Sequence, residues 1–181
     1  MRYVTLALLL GLTACAVQDD TIPPVPPLAG QGTRSPVFNA IQGAAMAFAN
    51  PAALAGRPAE AAIAVSRLEW EAAAIPVERS FFWFSTITGP ALTAARYEVR
   101  QALGIRQDAR PALVMGAMDS AAAALIAGDQ QGARGMLSPP TFAPDTLERL
   151  ANLPRLPQAN QATLRAQRDI EFGRTEDWDL P

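Results

Sequence analysis

The stretch PAEAAIAVSRLEWEAAAI, residues 58–75, reads as one amphipathic helix and sets the reading of everything around it. Pro58 suits a first helical position, where its missing N–H costs no hydrogen bond. Ala61, Val65, Leu68, Ala72 and Ile75 follow at steps of four, three, four and three, which stacks them on one face. Glu60, Arg67 and Glu71, with Glu78 beyond, fall on another face and are expected to be solvated. Pro76 ends the pattern, and the helix is expected to reach about Ala74.

The same punctuation recurs on both sides. Ser35-Pro36 supplies a capping hydroxyl and a first-turn proline for a helix to about Ala49, closed by Asn50-Pro51. After Gly89-Pro90, the apolar set Leu92, Ala95, Val99 and Ala102 predicts a helix ending near Gly104. Asp108 is placed as the cap of the next helix, with Pro111 in its first turn and Val114, Met118, Ala121 and Leu125 on one face. The run Ala121 to Ala124 predicts a close approach by a neighbouring helix. Pro144 opens a short helix through Asn152, and Pro157 opens another to about Phe172, closed by Gly173. Between them, Leu153-Pro154-Arg155-Leu156-Pro157, with Gln158 and Asn160, reads as a helix-to-helix turn. With no convincing strand alternation, the expectation is an all-α fold, an irregular bundle of about six or seven helices.

Phe81-Phe82-Trp83-Phe84 is the unusual feature of the body. Periodicity cannot assign a short continuous apolar run to strand or helix. No second strand of similar strength exists to pair with it, so Val77 to Ile87 is read as helix. Neighbours on a helix lie about 100° apart, so four rings in a row cannot all enter one core. The segment is therefore read as a helix buried on most sides. The alternative makes Phe81, Phe82, Trp83 and Phe84 a contact surface for a partner or an apolar ligand.

The amino terminus carries an address. Met1-Arg2-Tyr3 is a short positive start, Val4 to Leu12 an apolar run, and Leu12-Thr13-Ala14-Cys15 ends it. Nine residues are too few to cross a hydrocarbon layer about 30 Å thick, but they suit a signal-peptide core. Leu12-Thr13-Ala14-Cys15 closely resembles the lipobox of bacterial lipoproteins. That resemblance implies cleavage before Cys15, a diacylglyceryl group on its sulfur and an acylated amino terminus. Each buried methylene contributes about 0.8 kcal/mol, so two or more acyl chains hold a protein stably at a bilayer. Ala16 rather than Asp follows the cysteine; by resemblance to the sorting rule of enterobacterial lipoproteins, this favours the outer membrane over the inner one.

These readings divide the chain into a signal peptide (1–14), a lipidated cysteine with a Pro/Gly-rich tether (15–34), a helical domain (35–172) and an acidic tail (173–181). Pro23, Pro24, Pro26 and Pro27 predict an extended polyproline tether reaching up to roughly 60 Å. A second resemblance is weaker. Gly56-Arg57-Pro58 with Ala61, Val65 and Leu68 resembles the turn and second helix of a tetratricopeptide unit, and Gly128-Asp129 with Ala133 and Leu137 resembles the same turn. It implies stacked helical hairpins, but Asn50-Pro51 and Pro139 interrupt the units.

Composition narrows the chemistry. All 15 basic residues are arginine, 17 residues are acidic and the formal net charge is −2. No basic cluster offers itself to phosphates, so no nucleic-acid partner is expected. Cys15 is the only cysteine and histidine is absent, which removes the usual zinc, copper and haem ligand sets and every His-based triad. Lysine is absent too, leaving no side-chain amine to activate a serine nucleophile. Glu69 and Glu71 cannot share a helix face, Glu60 and Glu71 lie three turns apart, and Glu176, Asp177 and Asp179 sit in the tail. Each is expected as a solvated charge. No catalytic residue, cofactor or metal is expected. The functional expectation is a lipid-anchored envelope lipoprotein with a non-catalytic interaction domain. Its partners would be the membrane, through the anchor, and another envelope protein. The alternative is a module binding an apolar small molecule or peptide near Phe81–Phe84.

Overall fold

The structure is a computed structural model that describes residues 22–30 and 34–173. Seven α-helices are present among them, and the only extended pairing is an isolated antiparallel bridge between Ile105 and Phe142. The fold is an all-α bundle. Helix α1 (Pro36–Ala49) begins as its sequence dictates: the Ser35 side chain accepts from the Phe38 N–H at 3.3 Å, and Pro36 opens the first turn. Helix α2 (Pro58–Ala74), α4 (Pro111–Ile126) and α7 (Pro157–Phe172) also start on proline. Helix α3 (Thr88–Leu103) ends on Gly104, whose φ of 69° is the left-handed conformation that glycine adopts without a Cβ clash. Helix α5 (Gln130–Met136) is capped by Asp129, and α6 (Thr146–Ala151) is tied to the end of α3 by Thr146 Oγ1, which donates to the Leu103 carbonyl at 2.9 Å.

Helix α2 is the hub. It packs most extensively against α4 and also meets α1, α3 and α6, while α7 lies across α1 and α3. The close α2–α4 approach follows from small residues: Ala61, Ala64, Ala121 and Ala122 are all buried in the core. These pairings differ from a stack of sequential hairpins, and a 3-10 turn at Pro51–Leu54 separates α1 from α2.

Four expectations need correction. First, Val77–Ile87 is not an α-helix but a loop holding one 3-10 turn, Arg79–Phe81. A loop can send alternate rings in different directions: Phe81 and Phe84 enter the core, Trp83 is half-buried and Phe82 is 85% exposed. Second, within the expected tether, residues 27–30 form a 3-10 turn against α1 and Ala29 is buried, so this part is docked rather than extended. Third, Asp108 does not cap α4; it pairs with Arg106, and the residue preceding α4 is Arg110, which makes no side-chain cap bond.

The fourth correction concerns α2. Two of its expected solvated charges are inside, Glu69 at 1% exposed and Glu71 at 0%, and Arg67 is half-buried, while Glu60 keeps 42% of its side chain in solvent. Enclosure by several neighbouring helices leaves α2 almost no free face. Leu153 and Leu156 anchor the turn between α6 and α7, as its sequence implies. Cys15, the signal segment and residues 174–181 lie outside the described residues.

Candidate functional site

Two regions at opposite ends of α2 present side chains to a cavity. At the carboxyl end, the aromatic loop forms a chain of edge-to-face rings leading outward from the core. Trp70 meets Phe81 at 6.1 Å between centroids, Phe81 meets Phe84 at 5.1 Å, and Phe84 meets Trp83 at 4.6 Å. Such contacts each contribute about 0.5–1.5 kcal/mol beyond area burial. The loop is also fixed by hydrogen bonds. Trp83 Nε1 donates to the Ser80 carbonyl at 2.9 Å, and Asp169 Oδ2 on α7 accepts from Ser85 N–H at 3.1 Å and Thr88 Oγ1 at 2.5 Å. Phe82 stands on this rigid base beside exposed Val77 and Ile87, over an open cleft of about 480 Å³ walled by Ile75, Phe81 and Phe84. Of the four aromatic residues singled out from sequence, one is displayed, one is half-buried and two are core.

At the other end, α1 and α2 border two adjoining cavities of about 420 and 440 Å³ that share Gly43, Met46, Ile63 and Arg67. Their walls mix apolar side chains with Asn39, Gln42, Asn50, Arg57 and Glu60, and Met46 is 67% and Ile126 66% exposed. Arg67 lies in the floor. Its guanidinium rests against the α1 backbone at Gly43: a Cβ added there would fall 1.9 Å from Arg67 Nη1. A side chain at this position would require the flexible tip of Arg67 to move aside.

Behind Arg67 sits a polar group that sequence reasoning placed in water. Among the described residues, both Glu71 carboxylate oxygens, Arg67 Nε, Ser66 Oγ and Asp119 Oδ1 are buried without a hydrogen-bond partner of standard geometry. Burial pushes the Glu71 carboxyl well above its ordinary range, an effect only partly offset by the Arg67 charge. Burial also raises Asp119, opposed by the nearby Ser66 hydroxyl and by Arg67. Arg67 itself is lowered by burial, against the attraction of Glu71 and Asp119.

Two residues along, Glu69 has a complete set of partners. Arg100 grips it with Nε to Oε1 and Nη2 to Oε2, both at 2.7 Å, a bidentate buried pair. Arg100 Nη1 donates to the carbonyls of Arg106, Gln107 and Ala109, so this pair secures the connection from α3 to α4.

Arg67, Gly43 and Glu71 were missed from sequence, although two signals existed. A lone glycine inside a helical pattern costs about 1 kcal/mol against alanine and implies a packing reason. Arg67 and Glu71 are also spaced i, i+4. Among the described residues, no group of three or more acidic, His or Cys side chains is placed to hold a metal, and no helix is long and apolar enough to cross a membrane. No protein-family model, curated protein or solved structure matches the chain.

Proposed function

We propose that this chain is a lipid-anchored envelope lipoprotein, sorted to the outer membrane, whose helical body is a non-catalytic interaction module. In this reading Cys15 carries the lipid and the aromatic loop engages another envelope protein. The observation that supports the loop is Phe82: a large ring 85% exposed on a segment pinned by Asp169 and by ring-on-ring packing. A large aromatic ring already at the surface of an anchored loop buries much apolar area on contact, which suits an anchor at an interface. Leu12-Thr13-Ala14-Cys15 supports the address.

The cleft beneath Phe82 favours a second reading, in which an apolar small molecule or short peptide fills it. A photo-crosslinking residue at position 82, used in intact cells, separates the two. Capture of one discrete envelope protein from position 82, but not from exposed Gln131 on α5, is the expected outcome. Equal capture from both positions would remove the loop from the proposal. For the anchor, the Cys15→Ser precursor should lose incorporation of labelled fatty acid and remain uncleaved. Normal processing of that variant would overturn the address.

A further inference from the structure

Residues 22–30 leave little of the expected tether free. Pro26 and Ala29 are buried, Val25 and Leu28 pack against the core, and the turn Pro27–Gly30 lies against α1. Two hydrogen bonds hold this segment: Ala29 N–H donates to the Pro26 carbonyl at 2.9 Å, and Arg67 Nη2 to the Leu28 carbonyl at 3.5 Å. Only residues 16–21 separate Ile22 from Cys15. A chain spans at most about 3.3–3.6 Å per residue, so Cys15 lies within about 25 Å of Ile22 whatever path the chain takes. A body of about 150 residues, with a radius of gyration of about 15 Å, is about 40 Å across. Its far side cannot be turned to a bilayer that holds Cys15. The surface around residues 22–30 is the one kept beside the lipid.

That surface displays large apolar side chains. Exposed Met46 and Ile126 border the cavity that Leu28 and Ala29 also line, and Ile22 is exposed as well. Of the described residues lining this cavity only Arg67 is charged, and Asn39 and Gln42 are neutral amides. We infer that the body is seated on the bilayer through this face, with Met46 and Ile126 in the headgroup region, rather than held away on an extended tether. The inference rests on the Cys15 anchor. A short tether makes the contact intramolecular, at an effective concentration in about the millimolar range, so a few apolar side chains suffice. The chain has a formal net charge of −2 and no basic cluster, so the contact draws on apolar side chains rather than on anionic lipid. Asn39 and Gln42 fit an interface, where headgroups and water still hydrogen-bond them. Phe82, which borders none of the cavities beside Arg67, stays in water.

The test uses the full lipidated chain in phosphatidylcholine vesicles. Lipidation occupies the Cys15 sulfur, so one added cysteine is the only free thiol for an environment-sensitive fluorophore. Met46→Cys, Ile126→Cys, Phe82→Cys and Gln131→Cys all fall at exposed positions and leave the core untouched. An interfacial face sits about 5–10 Å deep, so doxyl lipid labelled near the headgroup should quench the probe at 46 and 126 by about half or more. The probes at 82 and 131 should keep their emission. Wild-type protein that does not float with the vesicles would remove the anchor and this pose together. Floating protein quenched at 82, equally at all four positions, or at none, would overturn the pose alone.

Discussion

Glu69 and Glu71 stand two residues apart on α2, both removed from water, in opposite circumstances. Glu69 meets both arms of Arg100, and the rest of that guanidinium is taken up by three carbonyls of the α3–α4 connection. Among the described residues Glu71 meets no donor of standard geometry, and the arginine one turn before it lies against α1 with its Nε buried and unpaired. Buried polar groups in folded proteins are almost always hydrogen-bonded, and unsatisfied ones call for an explanation. The completed pair is explained by architecture, because it determines where α4 starts relative to α3. The incomplete one encloses a carboxyl and a guanidinium side by side, with burial rather than pairing dominating the titration of both.

The largest expected effect comes from breaking the complete pair. Arg100→Ala leaves Glu69 as an unpaired buried charge and orphans three carbonyls, at a cost of about 3–5 kcal/mol. Urea unfolding should show this as a large drop in midpoint. Arg100→Lys should recover only part of it, because an ammonium cannot make the forked contact. A loss below about 1 kcal/mol would mean that Glu69 and Arg100 do not set the α3–α4 connection.

Next in size is Glu71→Gln, with the opposite sign. Above the ordinary carboxylate value of 4.5, the unfolded chain releases a proton that native Glu71 retains. Its contribution is fully present below that value and is lost as pH rises toward the higher folded pKa, so stability falls through this window. Removing the titration should flatten that decline and raise stability at neutral pH by about 1 kcal/mol. An unchanged slope of stability against pH would place Glu71 among paired carboxylates like Glu69.

Gly43→Ala sharpens the contrast at the groove. Helix propensity favours alanine by about 1 kcal/mol, while the new Cβ displaces the guanidinium tip and its long bond to Leu28. Net stability in urea unfolding should change by less than about 1 kcal/mol. A loss above about 2 kcal/mol would show that the guanidinium cannot move aside. Phe82→Ala should have the smallest effect on the fold, within about 0.5 kcal/mol in thermal or urea unfolding, because its ring makes little use of the core. A larger loss would make Phe82 a packing residue rather than a displayed one.

Much of the architecture was readable beforehand because helix starts are local events. Pro36, Pro58, Pro111 and Pro157 each occupy a first turn, and Gly104 and Gly173 each follow a last one. Ala61, Val65, Leu68 and Ala72 are buried as their spacing implies. The failures occur where distant contacts outweigh local pattern. Phe81-Phe82-Trp83-Phe84 has no periodicity to follow, and its conformation depends on Asp169, more than 80 residues away. The docked turn at Pro27–Gly30 likewise depends on α1 and on Arg67.

Proline positions, one capping serine and three-and-four spacing determined the all-α class and the limits of its longer helices, because each acts within a few residues of backbone. The tertiary structure decided which polar residues of α2 reach water. Four helices surround α2, so a face that looks solvated in one dimension is enclosed in three. Whether an enclosed carboxyl is completed then rests on the partners arriving from elsewhere in the chain: Arg100 completes Glu69, and among the described residues no donor of standard geometry completes Glu71.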